Sequence, residues 1–189
     1  MAAHVSGGDL PHLTVFTVGE VGSGKSTLTR ALVDVRGEEV PYAAALAGDT
    51  VEYTGTRYHY LHTDVPAQDV PARLKGAAPV PDGVILVVSA TEGPGPGVLE
   101  HIEAAVGAGV PAVVVFLNQC DRYDDAKAQQ DLEDRIAGDL GGLRPAPRHV
   151  VYVRGSAKLA IEGDDGPYGR QSITRLIEAM DEALLPPLD

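Results

Sequence analysis

The chain is poor in cysteine, in basic side chains and in long apolar runs. Its single cysteine, Cys120, cannot form a disulfide within the chain, and a reducing compartment is expected. Only 15 Lys and Arg face 27 Asp and Glu, and the formal net charge of −12 argues against nucleic acid or an anionic membrane as the main partner. The longest apolar runs, GVILVVSA and VPAVVVFL, are too short to cross a bilayer, and the first ten residues lack the apolar stretch of a signal peptide. We therefore expect a cytoplasmic protein.

A glycine-rich turn between an apolar run and a helical pattern is the most informative stretch. The β-branched residues of Leu13–Val18 predict a strand, and the pattern from about Lys25 to Val35 predicts a helix. Between them the chain reads G-x-x-x-x-G-K-S, which is typical of a phosphate-binding loop in this strand-to-helix context. Lys25 would supply a charge to the phosphates, and the hydroxyl of Ser26 would ligate Mg²⁺. The predicted phosphate site comprises Gly19, Glu20, Val21, Gly22, Ser23, Gly24, Lys25, Ser26 and Thr27.

Strand and helix patterns alternate along the rest of the chain. This alternation predicts an α/β fold: a doubly wound, mostly parallel sheet with one antiparallel edge pair and helices on both faces. We expect residues 1–10 to be a flexible tail and residues 11–189 to be a single domain. The predicted strands after the first are Val51–Tyr53, Arg57–Thr63, Gly83–Ser89, Ala112–Leu117 and Val150–Val153. The predicted helices after the first are a turn at Val70–Gly76, then Val98–Ala108, Asp124–Leu140 and Gln171–Leu185.

Polar residues follow several predicted strands, at the sheet edge where such folds bind ligands. Asp64 is placed to help hold Mg²⁺. After the fifth strand, Asp121 can accept two hydrogen bonds side by side, which matches guanine N1–H and its N2 amino group. Asn118 would brace the loop and reach guanine N7, although Asn118 and Asp121 are also typical caps for the helix predicted near Asp124. The predicted base site comprises Asn118, Gln119, Asp121, Ser156, Ala157 and Lys158, with a backbone N–H of the last segment meeting guanine O6.

Longer stretches add a family resemblance to these motifs. They read VEYTGTRYHYLHTDVP, KGAAPVPDGVILVVSATEGPGPGVLEHI, GVPAVVVFLNQCD and YVRGSAKLAIEGD. The chain resembles the GTP-binding domain of the translational GTPases, most closely that of elongation factor Tu. The resemblance implies a Ras-like P-loop NTPase fold with a six-stranded sheet, GTP or GDP as ligand, and Mg²⁺ at Ser26 with help from Asp64. The sequence stops where elongation factor Tu continues into two β-barrel domains that carry much of the tRNA binding, and with a net charge of −12 we do not expect tRNA delivery. We expect an unidentified protein as partner.

The departures from the family lie at the parts that sense and hydrolyse GTP. Ala45 stands near the position of the family's metal-ligating threonine, for which Thr50 is the candidate substitute. Ala67 replaces a glycine, at a cost of about 1–2 kcal/mol if the turn needs a positive φ. Gln68 replaces the histidine that orients the attacking water, a role that glutamine has in Ras-like GTPases. The alternative interpretation of Gln68 is an exposed polar residue of the loop. Gln119 replaces the lysine that braces the phosphate loop, so weaker nucleotide binding is expected.

Three functions remain open on the sequence alone. The first is a stand-alone protein that binds GTP, GDP and Mg²⁺ and hydrolyses GTP slowly or with a partner, with Gln68 and Lys25 in catalytic roles. The second is a non-hydrolysing module that keeps the nucleotide pocket. The third is an ATP-using P-loop kinase or ATPase. The histidines show no spacing typical of a metal site, and we interpret His59 and His62, which lie in a predicted strand, as structural.

Overall fold

The computed structural model describes residues 10–36 and 50–184. Ala45 and nearly all of the predicted tail lie outside these residues. The strands are β1 (His12–Gly19), β2 (Thr50–Thr54), β3 (His59–Asp64), β4 (Gly83–Ser89), β5 (Ala112–Asn118) and β6 (His149–Arg154). The α-helices are α1 (Lys25–Arg36), α2 (Val70–Lys75), α3 (Gly97–Gly107), α4 (Ala126–Gly142), α5 (Ala157–Ile161) and α6 (Arg170–Ala183), and 3₁₀ turns cover Ala67–Asp69 and Cys120–Arg122.

The described strands form one six-stranded sheet in the order β2-β3-β1-β4-β5-β6. Only the β2–β3 pair is antiparallel; the other pairs are parallel. The predicted α/β architecture, with its antiparallel edge pair, is thereby confirmed. The register places Thr17 beside Asp64 and Ser89 beside Asn118, so the carboxyl ends of β1, β3, β4 and β5 meet at one edge of the sheet. Functional groups that follow these strands are therefore brought together.

Alternate residues of the central strands contribute to two separate hydrophobic cores, one on each face of the sheet. In β4, Ile85 and Val87 pack with α1, α5 and α6, whereas Leu86 and Val88 pack with α2, α3 and α4. All seven residues of β4 are buried, which explains its continuous apolar sequence. Helix α6 buries Ile173, Leu176, Ile177 and Met180 on its apolar face. In residues 10–36 and 50–184, no helix has both the length and the apolar character needed to span a membrane.

Two local features of the helices differ from the sequence-based expectations. The short helix α5 was not predicted, because its five residues are too few to show a helical period. It begins after Ser156, whose side chain accepts a hydrogen bond from Leu159 N–H. Helix α4 is capped by Asp125, whose carboxylate accepts from two backbone N–H groups of the first turn. Asn118 and Asp121 are therefore free of the capping role that was the alternative interpretation of their positions.

A buried polar network joins the β2–β3 hairpin to β1 and α6. The fully buried ring of His62 hydrogen-bonds to Thr17 Oγ1 through Nε2 and to Tyr53 Oη through Nδ1, the latter at 2.9 Å. At the turn of the hairpin, Asp181 of α6 accepts from Tyr60 Oη at 2.7 Å and from Thr56 N–H at 2.8 Å. Burial, together with the hydrogen bond to Asp181, raises the pKa of Tyr60. His62 has the structural surroundings that were predicted for it.

We expect the stability of this fold to fall as the pH drops below about 6.5, with His62 as one cause. Burial lowers the pKa of His62 to about 3, so the ring stays neutral in the folded protein while it gains a proton in the unfolded chain near pH 6.5. Between these pH values the unfolded state binds the extra proton, and His62 should cost about 1.4 kcal/mol of stability per pH unit.

Denaturant unfolding at pH 7, 5.5 and 4.5 measures this effect. His62→Gln should show a shallower decline than the wild type, whatever its absolute stability, since the carboxylates titrate alike in both. His149→Gln, at an exposed position, is the matched control and should decline like the wild type. Parallel curves for the wild type and His62→Gln would contradict the assignment.

Candidate functional site

A cavity of about 870 Å³ lies at the carboxyl edge of the sheet, a size suited to a small-molecule ligand. It runs from the phosphate loop, past the end of β3, to the loops that follow β5 and β6. Most of the predicted site residues line it, although they come from four separate segments of the chain. The lining comprises Val21, Gly22, Gly24, Lys25, Ser26, Thr27, Thr29, Val51, Asp64, Pro66, Ala67, Gln68, Asn118, Gln119, Asp121, Arg122, Ser156, Lys158 and Ile161.

The phosphate loop is shaped by glycines at close backbone approaches. Gly24 has φ +91°, and a Cβ there would lie 2.2 Å from Asn118 Nδ2. Gly19 has φ +150°, and a Cβ there would lie 2.4 Å from the carbonyl oxygen of Val87. No other residue type fits these two positions without displacing a neighbour. The predicted strand-to-helix turn therefore has a steric as well as a conformational requirement for glycine.

Helix α1 begins directly at the cavity. Its first α-helical bond runs from Leu28 N–H to the Gly24 carbonyl at 2.9 Å, so the amides of Lys25, Ser26 and Thr27 precede it. Such amides, together with the helix dipole, favour an anion. Lys25 Nζ donates to the Glu20 carbonyl at 2.8 Å, and burial lowers its pKa, an effect opposed by the nearby Asp64 and Glu20 carboxylates. The loop thus presents a partly desolvated cation beside free N–H groups.

Ser26 and Asp64 meet at the end of β3, as predicted. Ser26 Oγ donates to Asp64 Oδ2 at 2.6 Å, while Asp64 Oδ1 is buried and has no hydrogen-bond partner. A hydroxyl and a carboxylate with an unused oxygen are hard ligands that suit Mg²⁺. In the described part of the chain, no cluster of three or more His, Cys, Asp or Glu could hold a metal. An ion here would therefore depend on phosphate and water oxygens as well, which is the usual pattern for Mg²⁺.

Asn118 ties the phosphate loop to the start of α5. Its Nδ2 donates to the Ser23 carbonyl at 2.9 Å, and its Oδ1 accepts from Ala157 N–H at 2.9 Å. This is the bracing role predicted for Asn118. Because the Ala157 N–H is already donated to Asn118, a guanine O6 at this end of the cavity would have to share that N–H or accept from the backbone N–H of Lys158. The predicted loop segments therefore lie together, held by one carboxamide.

Asp121 lies on an anchored turn with its carboxylate exposed at the cavity. The preceding residue, Cys120, is fully buried and donates its backbone N–H to the Gly155 carbonyl at 3.0 Å. Burial raises the pKa of the Cys120 thiol to about 11, which fits a packing role rather than a reactive one. The turn fixes the position of Asp121 relative to the segment that contains Ala157.

Gln68 and Ala67 lie on the 3₁₀ turn that follows β3. Gln68 is exposed and lines the cavity. Ala67 has a negative φ; in the described ranges, Gln119 is the one non-glycine residue with a positive φ. The conformational cost considered for Ala67 is therefore absent in this structure. The Ala67 carbonyl oxygen lies 3.0 Å from Nε2 of His101 on α3, so the turn is tethered to the neighbouring helix.

Some predicted residues support the cavity from behind rather than line it. Glu20 points away, and its Oε1 accepts from Gly97 N–H at the start of α3 at 2.8 Å. Ser23 is buried, and its Oγ donates to the Glu20 carbonyl at 2.9 Å. Thr50, the substitute for the missing threonine, lies in β2 with its Oγ1 3.0 Å from Thr63 Oγ1 and is not part of the lining. It is therefore not placed to ligate a metal in this cavity.

Five lining residues were not predicted. Arg122 could have been found from its position next to Asp121. The others are apolar or common residues whose types carry no site signal, and only the packing of their elements brings them to the cavity. The five are Thr29, Val51, Pro66, Arg122 and Ile161.

Comparison with known families agrees with this geometry. A family profile described as Elongation factor Tu GTP binding domain matches residues 42–186. The matched segment contains Asp64, Gln68, Asp121 and the start of α5, and it begins after the phosphate loop, which its own motif identifies. The match covers well over half of the chain. This chain belongs to the family of elongation factor Tu GTP-binding domains, and it is a GTP-binding protein with an α/β P-loop fold.

Proposed function

We propose that this chain binds GTP and GDP together with Mg²⁺ in the cavity at the carboxyl edge of the sheet. The convergence of the phosphate loop, the Ser26–Asp64 pair and Asp121 on one cavity carries this proposal. The amides at the start of α1 and the Lys25 ammonium would hold the phosphates. Ser26 and Asp64 would hold the ion, which when bound would neutralise charge on the phosphate oxygens. Asp121 would select guanine by accepting from N1–H and the N2 amino group.

We further propose that the cavity hydrolyses GTP slowly, or with the help of a protein partner. The exposed Gln68 carboxamide would orient a water molecule for attack on the γ-phosphorus. The bond from that phosphorus to the bridging oxygen would break, giving GDP and phosphate. Lys25 would balance the charge on the phosphate oxygens. Helix α3 supports this role, since His101 tethers the turn that carries Gln68.

Residues 11–189 are proposed to act as a single cytoplasmic nucleotide-binding domain with a protein partner. The formal net charge of −12 supports a partner other than nucleic acid. Delivery of tRNA is not part of this proposal.

Calorimetry with GDP, GTP and ATP, with and without Mg²⁺, tests the proposed ligand. We expect guanine nucleotides to bind and Mg²⁺ to strengthen their binding. Equal competition by ATP and GTP against a labelled GDP would favour an ATP-using P-loop enzyme instead. Binding without any turnover of GTP would favour the non-hydrolysing module.

Replacing Gln68 with alanine is expected to slow steady-state GTP turnover about 100-fold, because the attacking water loses its orientation. The GDP dissociation constant should stay unchanged, since the proposed role of Gln68 concerns the γ-phosphate. Asp69→Ala is a matched control, because Asp69 lies on the same turn and its side chain makes no capping bond to α2. Equal turnover by Gln68→Ala and the wild type would remove Gln68 from the mechanism.

A further inference from the structure

The side chain of Gln119 connects the end of β4 to the phosphate loop. Its Nε2 donates to the Gly22 carbonyl at 3.4 Å, and its Oε1 accepts from Ser89 Oγ and from Thr91 Oγ1, each at 3.1 Å. Ser89 is the buried last residue of β4, whereas Thr91 is exposed. Neither residue lines the cavity, and neither belongs to the predicted site.

The chemistry of these partners determines the direction of the Gln119 carboxamide. The Gly22 carbonyl oxygen can only accept a hydrogen bond, so the carboxamide must turn its NH₂ group toward the phosphate loop. Hydroxyls can donate, so those of Ser89 and Thr91 suit the remaining oxygen. The opposite orientation would place two acceptor oxygens, Oε1 and the Gly22 carbonyl, against each other. The two hydroxyls and the Gly22 carbonyl therefore favour the same orientation of the Gln119 carboxamide.

The Ser89 hydroxyl is itself held in place, because its oxygen accepts from Glu92 N–H at 3.3 Å. It also lies 2.9 Å from Thr91 Oγ1, but each hydroxyl has one proton, so a proton donated to Gln119 Oε1 is not donated across this contact as well. Gln119 has a φ of 66°, a left-handed conformation that is strained for a non-glycine residue. Such a conformation persists when the surroundings determine it, and the three side-chain contacts of Gln119 are part of those surroundings.

On the basis of the proposed function, we propose that Ser89 and Thr91 are positioning residues for nucleotide binding. They orient Gln119, which holds the Gly22 side of the phosphate loop in its binding shape. A neutral relay, Ser89 and Thr91 to Gln119 to Gly22, thus occupies the place where the family resemblance puts a lysine. Because the relay ends on the phosphate loop and not on the base, it should affect GDP and GTP alike and leave the preference for guanine unchanged.

A double-mutant cycle tests the relay. Ser89→Ala combined with Thr91→Val removes both hydroxyls at nearly constant volume and should weaken GDP and GTP binding about tenfold. Gln119→Leu should weaken binding to a similar extent, and adding the hydroxyl deletions to it should have no further effect. Thr91→Ser keeps the hydroxyl and should bind GDP within about twofold of the wild type. Wild-type affinity in the hydroxyl-deleted protein, or full additivity with Gln119→Leu, would overturn the proposal.

Amide hydrogen exchange without nucleotide separates this inference from the proposed function. If the wild type fails to bind GDP, the proposed function is wrong, yet the relay can still be measured at the Ser23 amide of the phosphate loop, which donates to the Glu20 carbonyl at 3.3 Å. This amide should exchange faster in Gln119→Leu and in the hydroxyl-deleted protein, and at the wild-type rate in Thr91→Ser. Unchanged exchange in the first two variants would show that the hydroxyls do not position the loop. Thermal unfolding of each variant verifies that it is folded.

Discussion

Replacing Asp121 with asparagine is expected to weaken GDP binding about 100-fold or more and to favour a xanthine nucleotide. The carboxylate has two acceptor oxygens for guanine N1–H and the N2 amino group, and hydrogen bonds to a charged group contribute about 1.5–3 kcal/mol each. Asparagine replaces one acceptor with an NH₂ group, which would face the N2 amino group donor to donor. Xanthine carries an oxygen at that position, so it restores the match.

Competition against a labelled GDP measures this exchange. Asp121 is exposed, so the variant should unfold close to the wild-type midpoint, and lost binding would then reflect the base contact. Asp124→Asn is a matched control from the same loop, since Asp124 is exposed and is not part of the cavity lining. Unchanged GDP affinity in Asp121→Asn, or an equal loss for guanine and xanthine nucleotides, would contradict the role of Asp121.

Replacing Lys25 with methionine is expected to reduce GDP and GTP affinity by about tenfold to more than a hundredfold. The substitution keeps most of the length of the side chain and removes the cation that is proposed to hold the phosphates, a contact of about 1.5–3 kcal/mol. The loss should be larger for GTP, whose γ-phosphate adds charge near the ammonium.

The stability of the nucleotide-free protein should not fall with its nucleotide affinity. Burial lowers the pKa of Lys25, which means that desolvation of the charged ammonium destabilises the folded state near neutral pH. The nucleotide-free Lys25→Met protein should therefore be at least as stable as the wild type. Arg30→Met removes an exposed cation from the same helix and should retain nucleotide affinity. A Lys25→Met protein that is less stable than the wild type would contradict the destabilising effect of burying the charge. Wild-type GTP affinity in this variant would contradict the proposed contact between Lys25 and the phosphates.

The parts of this protein that were predictable depend on local chemistry. The phosphate loop is recognisable because glycines, lysine and serine must occur at fixed offsets over a few residues. Strands β4 and β5 are recognisable because burial on both faces requires continuous apolar sequence. Asp64 and Asp121 could be assigned to one site because parallel strands end at the same edge of the sheet.

Other parts depend on partners that are far apart in the sequence. Asp181 accepts a hydrogen bond from Tyr60 across 121 positions, and neither residue shows by its type that the other is its partner. Val51 and Ile161 line the cavity only because the hairpin and α5 pack beside it. The helix α5 itself was missed because it is short and stabilised by a cap and by packing rather than by a periodic pattern.

Gln119 shows which features follow from the sequence alone and which require the tertiary structure. The sequence alone determined that a neutral side chain stands in the base loop at the family's lysine position, and it predicted weaker binding from that loss of charge. Only the tertiary structure decided what the carboxamide contacts, because Gly22, Ser89 and Thr91 reach it through the packing of three segments. Motif chemistry is local and can be recognised along the chain, whereas the direction of a hydrogen bond depends on which groups the fold places around it.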